Sequence, residues 1–476
     1  MAYKTVIGLE IHAELLTKSK IFCSCLAKFE KEANKHCCPV CLGLPGALPV
    51  LNKKVVEYCI RAGLALNCEI SNKSRMDRKN YFYPDLVKGY QITQYTNPLC
   101  QNGYIKIDIK DVEKKIRIKR IHIEEDTGKS IYDEKGNILL DYNRSGIPLI
   151  EIVTYPDMNS PEEARIFLEK LKAILRYIEV SDCKMEEGSL RCDININVID
   201  EETGVKSTIT EIKNLNSFKA AVKAMEFEEK RHIELLKQGK NTLKETRRWD
   251  ENRNETVVMR VKETVEDYRY FPESDLVDIE VDENLIKNIK ENLPELPHAK
   301  KERFIIEYNL PENDAKILTS SKNLADFFEE TVKFVNAPKQ VSNWITGDIL
   351  RRLNMENKEI KNMKITPKNL ADLIGLINEG KISNKIGKKV LRIMFEQGKT
   401  PEVIVREQGL IQISDESELK NIVKKVVEDN RQSVVDYKNG KDRALGFLVG
   451  QVMKATRGKA NPQMVNKLIL EIIEEM

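Results

Sequence analysis

Glu10, His12 and Glu14 are typed and spaced for cation chemistry. They occupy alternate positions of a run in which Ile7, Leu9, Ile11, Ala13 and Leu15 take the places between. In a β-strand this puts the aliphatic set on one face and carboxylate, imidazole and carboxylate on the other. Such groups on a rigid element offer hard ligands to a divalent cation. The plainer alternative is a strand with one solvated face, and the choice turns on whether other strands bring acid to the same place.

Three further segments do. Arg120, His122 and Glu124 alternate with Ile121 and Ile123, and Glu125 and Asp126 follow just before Gly128. Glu151 lies in the aliphatic run 147–153, where an ionised carboxylate is costly unless a cation or hydrogen-bond donors receive it. Arg191, Asp193, Asn195 and Asn197 share one strand face, with Cys192, Ile194, Ile196 and Val198 on the other. Four strands with apolar backs and carboxylate-bearing fronts argue for a sheet whose front is a polar reaction floor.

Cys23 and Cys25 form a CxC pair, and Cys38 and Cys41 a CPxC pair twelve residues further on. Four thiolates in two close pairs suit the tetrahedral preference of structural zinc. Four sulfurs leave no open coordination position, so the ion would brace the loop after the first strand rather than catalyse. Cys37 adjoins Cys38 and competes as a ligand, and a set of reduced buried cysteines is the alternative.

Asp126-Thr127-Gly128-Lys129-Ser130 invites a phosphate-loop reading, which fails because Ile123 stands where the first glycine is needed. A nucleotide would be held by another design. Residues 76–85 interleave cations with Tyr81, Phe82 and Tyr83, offering charge for phosphate oxygens and aromatic faces for a base. Residues 245–250 and 267–272 are similarly dense, with a surface ion-pair network around a packed Trp249 as the alternative.

The elements that must position these groups follow from pattern. To about residue 290 short alternating strands are separated by turn signals such as Asn102-Gly103 and Gly136-Asn137. Ser160, Pro161 and Glu163 open a helix with Ala164, Phe167, Leu168, Leu171, Ile174 and Leu175 on one stripe, and a second helix is expected over 217–236. Pro294 and Pro297 break the pattern. Beyond them it turns helical: Leu370, Leu373, Ile374 and Ile377 form a stripe, and Ser383 caps a helix that Gly398 ends. The expected fold class is α+β: a domain over 1–293 on a largely antiparallel sheet with flanking helices, an all-α domain over 294–400, and a small helical tail over 401–476.

The 476 residues exceed one core, and 78 Lys+Arg against 75 Asp+Glu do not advertise a nucleic-acid protein. No apolar run is long enough to span a membrane, and a strand pattern from about Thr5 leaves no room for a leader. Ten cysteines without an export signal favour a reducing cytoplasm and a metal site over a disulfide framework.

Taken in order, these motifs resemble a known family. GLEIHAEL at 8–15, the CxC with CPVCLGLPGALPVLN at 38–52, DRKNYFYPDL at 77–86, KGYQITQY at 88–95 and IHIEED at 121–126 carry the first part of the likeness. DYNRSGIPLIEIV at 141–153, EEGSLRCDINI at 186–196, TEIKNLNSF at 210–218, ETRRWD at 245–250 and DYRYFPE at 267–273 continue it. SNWITGDILRRLN at 342–354 and GQVMKATRGKANP at 450–462 extend it to the end of the chain. All are similar to the B subunits of aspartyl/glutamyl-tRNA amidotransferases; a related archaeal form carries a large inserted domain for which this chain has no room.

The resemblance implies a bacterial, cytoplasmic, glutamine-hydrolysing carbon–nitrogen ligase working as a heterotrimer. This subunit would use ATP and Mg2+ to phosphorylate the side-chain carboxylate of misacylated Glu-tRNA(Gln) or Asp-tRNA(Asn). Ammonia from a glutaminase (amidase-type) A subunit would then convert the acyl phosphate to the amide, with a small C subunit as third partner. Carried over by motif, Glu10, His12, Glu124, Glu125 and Glu151 are the Mg2+ candidates, with Glu10, His12, Glu125 and Glu151 catalytic. Lys79, Tyr81, Arg120 and Glu211 are the candidates for the nucleotide, and Cys23, Cys25, Cys38 and Cys41 for structural zinc. Relatives often carry glutamine in place of Glu14, which makes it a neighbour that shapes the floor. Thr127, where many relatives have alanine, and Ser274, where proline is common, depart from the pattern tolerably.

The likeness also implies a mobile tail touching the tRNA elbow. Residues 438–467 hold seven basic residues and one acidic, which points to Lys454, Arg457 and Lys459 as RNA contacts, against a merely solvated helix surface. No amidase signature or Cys-His glutaminase arrangement is evident, in agreement with dependence on a partner for ammonia. Two readings compete. A noncatalytic tRNA-binding scaffold has no reason to embed Glu151 among aliphatics, and a zinc hydrolase needs an open metal position that four cysteines deny.

Overall fold

The computed structural model describes residues 3–109, 112–261, 265–356, 358–410, 416–456, 460 and 462–475. The chain divides into two compact units, Met1–Leu296 and Pro297–Met476.

The first unit begins with β1 (Tyr3–Glu14), helix α1 (Lys53–Ala65), the short β2 (Glu69–Ile70) and β3 (Lys73–Ser74), then β4 (Asp77–Asn80) and β5 (Tyr90–Thr93). Long strands β6 (Cys100–Ile109) and β7 (Val112–Glu125) follow, then the hairpin β8 (Lys129–Tyr132) and β9 (Ile138–Asp141), and β10 (Pro148–Thr154). After α2 (Pro161–Tyr177) come β11 (Leu190–Asp200), β12 (Thr210–Lys213), α3 (Phe218–Lys237), β13 (Glu245–Asp250) and β14 (Glu255–Val261). The unit closes with β15 (Phe271–Pro272), β16 (Ile279–Glu280) and α4 (Glu283–Glu291).

Nine strands form one sheet in the order β14-β13-β12-β11-β1-β10-β7-β6-β2. Every ladder in it is antiparallel except β12–β13, which is parallel. The N-terminal strand therefore sits at the centre, paired with β10 on one side and β11 on the other. Its Ile7, Leu9, Ile11 and Ala13 are buried, and so are Ile150 and Ile152 of β10, Ile121 and Ile123 of β7, and Ile194 and Ile196 of β11. Helices α1, α2 and α3 pack on this back, contributing Val55, Ile60, Phe167, Leu171, Ala221 and Met225 to one core. Each fully buried aliphatic contributes about 1.5–3 kcal/mol, so this face fixes strand register and with it what the front presents.

The helix starts follow their capping residues. Ser160 accepts from the Glu163 amide at the head of α2, and Ser217 accepts from the Ala220 amide at the head of α3. Gly136 turns the β8–β9 hairpin with φ 82°. Asn102-Gly103, expected as a turn between strands, lies inside β6 instead. A Cβ at Gly103 would stand 2.7 Å from the Leu66 carbonyl, so the glycine serves close approach rather than chain reversal. Over the front of the sheet β4, β5 and β15 form a separate three-stranded layer, and β5 packs on β7.

The second unit is helical throughout its described residues. Leu370, Leu373 and Ile374 are buried on helix Pro367–Asn378, and Ser383 caps Asn384–Gln397, which ends on Gly398 with φ 69°. Helices Glu416–Asp429, Arg431–Lys438, Arg443–Ala455 and Pro462–Glu475 close on a core of Leu419, Val423, Leu448, Val452 and Leu468. No helix among the described residues is long and apolar enough to cross a membrane.

Candidate active site

Strand pairing lays the polar fronts side by side. Across β11, β1, β10 and β7, Arg191, His12, Glu151 and His122 form one row of directly opposed residues. In the next row Glu10 stands opposite Asp193, and one row further Glu211 enters from β12 opposite Asn195 of β11. These side chains floor a cavity of about 490 Å3, whose roof carries Lys79, Tyr81, Tyr95, Tyr268 and Tyr270. That volume suits a nucleotide-sized ligand.

The acids sort into two groups. His12, Glu124 and Glu151 bring one ligand atom each within 4.8 Å of one another, and so do Glu10, Asp193 and Glu211. In the first, His12 Nε2 is 3.2 Å from Glu124 Oε1 and 3.4 Å from Glu151 Oε2. Adjacent ligands of an octahedral ion with bonds near 2.1 Å lie about 3 Å apart, so the spacing fits Mg2+ with little movement. In the second, Asn195 donates to Glu10 Oε1 at 3.0 Å, Thr246 donates to Glu211 Oε2 at 2.7 Å, and Lys213 Nζ is 2.5 Å from Asp193 Oδ2. Glu10 and His12, expected to share one ion, therefore belong to different groups.

Charge and burial set the protonation of the first group. Burial alone would lower the His12 pKa; the hydrogen bond and charge of Glu124, then those of Glu151, outweigh it and raise it to about 10. Burial pushes Glu151 up, but the charge of His122 and the hydrogen bond from His12 hold it well below the usual carboxylate range. Arg120 Nε donates to His122 Nδ1 at 3.3 Å, which leaves His122 Nε2 to face Glu151 Oε2 at 3.3 Å. Glu14 lies toward the strand end, raised to about 7 by burial and by the charge of Asp126.

Glu125 is the departure among the expected floor residues. Successive strand residues face opposite ways, so Glu124 joins the floor and Glu125 turns from it and does not line the cavity. Its carboxylate instead receives Lys88 Nζ at 2.5 and 2.7 Å and the Ile92 amide at 2.8 Å, anchoring β5 to the end of β7. Asp126 returns to the cavity and binds Arg191 Nη2 at 2.8 Å, while Arg191 Nε is a buried donor without a partner.

Glu10, His12, Lys79, Tyr81, Arg120, Glu124, Glu151 and Glu211 all line this one cavity. Glu211, expected at the nucleotide, sits in the second acidic group. Asp193, Arg191 and His122 share the alternation of their strands, which pointed to them. Tyr268 and Tyr270 lie in the segment 267–272 whose cation and aromatic density marked it, whereas Lys213 and Tyr95 come from pairings that no local pattern specifies. In the second unit Lys454 is exposed on helix Arg443–Ala455, and Arg457 and Lys459 lie outside the described residues.

Cys23, Cys25, Cys38 and Cys41 bring their sulfurs within 4.8 Å of one another, and this group could hold a metal ion such as zinc. The Cys23–Cys41 and Cys38–Cys41 contacts are 3.4 and 3.6 Å, near the ~3.8 Å edge of a tetrahedron with Zn–S bonds of 2.3 Å. Cys37 stands outside the group. Lys20, with no exposed surface, points Nζ at Cys41 Sγ (3.5 Å), the His36 carbonyl (2.8 Å) and the Tyr142 carbonyl (3.2 Å). The hydrogen bond from the Cys23 thiol, with the charge of Lys20, brings Cys41 down to about 4 despite burial.

A family model described as the GatB/GatE catalytic domain matches residues 5–287, and one described as the GatB domain matches residues 326–473. The chain is similar over nearly its full length to proteins named as the B subunit of aspartyl/glutamyl-tRNA(Asn/Gln) amidotransferase. That of Thermoanaerobacter pseudethanolicus is 59% identical over 471 residues, with 99% of each chain covered. Those of Caldicellulosiruptor saccharolyticus and Clostridium tetani are 58% and 56% identical, with 100% of each chain covered.

Proposed function

The chain belongs to the family of B subunits of aspartyl/glutamyl-tRNA(Asn/Gln) amidotransferases, and on that premise we propose that its cavity is a carboxylate-activating site using ATP and Mg2+. The substrate is the glutamate of misacylated tRNA(Gln), the aspartate of misacylated tRNA(Asn), or both. A glutaminase A subunit supplies ammonia, a small C subunit completes the heterotrimer, and the assembly works in the bacterial cytoplasm. The observation that carries this reading is the pair of acidic groups on one sheet floor, flanked by Arg120, Arg191 and Lys213.

A carboxylate resists amide formation because its oxygen leaves poorly. Attack of a carboxylate oxygen on the γ-phosphorus of ATP releases ADP and gives an acyl phosphate. Ammonia then adds to the carbonyl carbon, phosphate departs with the C–O electron pair, and the nitrogen loses a proton. Such transfer needs positioning and charge neutralisation more than covalent help. Bound Mg2+ would supply the latter, held by Glu124, Glu151 and His12 on one side and by Glu10, Asp193 and Glu211 on the other.

The chain's own residues do the rest. Lys79 and Arg120 offer charge to phosphoryl oxygens, and the free Nε–H of Arg191 offers a donor to a substrate carboxylate or phosphate. Lys213 holds Asp193, and Thr246 orients Glu211 from the parallel neighbour β13. The cysteine group would hold structural zinc, and the tail around Lys454, Arg457 and Lys459 would carry tRNA contacts.

Reconstitution with the A and C subunits, misacylated tRNA, ATP and ammonium salt tests the reading without glutaminase activity. Glu124→Gln should abolish ATP-dependent amide formation; retention of the wild-type rate would overturn the site.

A further inference from the structure

The cavity has a polar floor and an aromatic roof, and the floor chemistry uses only one of them. Tyr95 and Tyr270 are stacked, with ring centroids 4.2 Å apart and planes 12° from parallel. Tyr268 meets Tyr270 edge-on at 6.1 Å and Tyr81 at 6.0 Å, and Lys79 Nζ stands 4.7 Å from the Tyr268 centroid. All five residues line the cavity, and Tyr95 keeps 39% of its surface exposed.

The rings are held in place by groups beneath them. Asp77 Oδ2, 1% exposed, accepts the amides of Tyr95 and Thr96 at 2.8 and 2.9 Å. Arg269, between Tyr268 and Tyr270, has φ 44°, a left-handed conformation that costs a non-glycine residue free energy. Asn80 Nδ2 stabilises it by donating to the Arg269 carbonyl at 2.7 Å. The next turn is clamped where Arg78 reaches Glu273 through Nε (2.8 Å) and Nη2 (2.7 Å). Burial and the charges of Glu151 and Glu124 push the Tyr270 hydroxyl up, in keeping with a ring whose edge looks down on the first acidic group.

Three tyrosines from two distant segments, with a lysine beside them, thus place flat apolar surface in a cavity otherwise lined mostly by charged and polar side chains. We propose that Tyr95, Tyr268 and Tyr270 form a stacking platform for an adenine ring, with Lys79 beside it to meet phosphate. This rests on the ATP-dependent reading of the floor, and deepens it by assigning a subsite for the base. Adenine reaches such a site either on ATP or as the 3′-terminal adenosine of the acylated tRNA, and the two differ in test.

The experiment uses the full-length chain with Mg2+ and four probes: ATP, inorganic tripolyphosphate, an RNA hairpin ending in CCA and one ending in CC. Tyr95→Leu and Tyr270→Leu keep bulk without an aromatic face, Tyr95→Phe and Tyr270→Phe keep the face, and Mg2+ affinity reports that the floor still folds. If the base arrives on ATP, the Leu variants weaken ATP by about 5- to 150-fold, the range of base stacking, while tripolyphosphate binding is unchanged and the Phe variants stay near wild type. If it arrives on RNA, ATP is unaffected and the advantage of the CCA hairpin over the CC hairpin is lost. The platform is overturned if the wild type shows no preference for either adenine-bearing probe, or if the preference survives in the Leu variants. Failure of tripolyphosphate to bind while an adenine preference persists would strike the floor reading and leave the platform standing.

Discussion

His12 and Glu151 stand directly opposite each other in the β1–β10 ladder, with His12 Nε2 3.4 Å from Glu151 Oε2. His122 approaches the same oxygen from the other neighbouring strand at 3.3 Å, so one carboxylate is held between two imidazoles. Protonated His12 thus gives the floor a positive charge of its own, which a bound cation must replace.

The His12 pKa of about 10 means that its ring is protonated at neutral pH when no ion is bound. Being raised above its ordinary 6.5, it contributes stability that is full below pH 6.5 and lost as pH rises through about 10. A divalent cation at this group must displace that proton. Mg2+ binding at pH 7 should release about one proton and tighten about tenfold per pH unit up to that range. Calorimetry in buffers of different ionisation heat reads the proton directly; heats independent of buffer would contradict the assignment, and His12→Asn should remove the dependence.

Glu124→Gln and Glu151→Gln should each cut amide formation by on the order of 100-fold or more, given that even supporting residues around a metal are worth about 10- to 100-fold. Glu125→Gln should leave Mg2+ affinity within about twofold, because its carboxylate faces Lys88 and Ile92. Equal losses of metal affinity from Glu124→Gln and Glu125→Gln would show that strand parity does not divide them.

Cys38→Ser should lose bound metal, and Cys37→Ser should keep it, since only Cys38 joins the four-sulfur group. Elemental analysis of the purified variants decides this. Retention of a full equivalent by Cys38→Ser would rule out four-thiolate binding.

Lys20 is a fully buried ammonium whose hydrogen bonds go to two carbonyls and the Cys41 sulfur. A buried cation requires an anion nearby, and metal-bound thiolates provide one. Lys20→Met should therefore speed metal release to a chelator by about tenfold, with Lys20→Arg intermediate. Unchanged release in Lys20→Met would mean that the two carbonyls alone hold the charge.

Glu228 of α3 has no exposed surface and meets Arg231 at 2.7 Å and Arg247 at 3.2 Å. Burial opposes its ionisation, yet hydrogen bonds from His232 and Arg231 hold its pKa down at about 2. A depressed carboxylate stabilises the fold above its unfolded value of 4.5, and that stability is lost as pH falls toward 2. Glu228→Gln should cost about 3 kcal/mol at pH 7 and flatten the dependence of stability on pH between 4.5 and 2. Denaturant unfolding at pH 7 and pH 3 compares them; a parallel loss at both would place the role in packing instead.

Alternation told which face each residue of β1, β7, β10 and β11 would take, and the aliphatic backs packed as that pattern requires. Helix caps at Ser160 and Ser383 were legible because capping is local chemistry, and the helix expected from residue 217 starts where Ser217 caps it. What the pattern could not specify was neighbourhood. Glu211 joins Glu10 and Asp193 only because β12 lies beside β11, and Thr246 reaches Glu211 only through the parallel pairing with β13. Glu125 went astray for a different reason. A cluster of acids reads as one site in a string of letters, whereas the pleat sends neighbours to opposite sides. Asn102-Gly103 carries turn residues, yet its glycine answers to the Leu66 carbonyl beside it.

The central place of β1 has a consequence in time. During synthesis this strand leaves the ribosome well before its partners β10 and β11, which begin only at Pro148 and Leu190. Until both arrive it is a hydrophobic strand with two open edges, the kind of segment that invites wrong partners. The floor cannot close before Lys213 has been made, so Glu10 and His12 are in place in the nascent chain long before the chemistry they serve can be assembled.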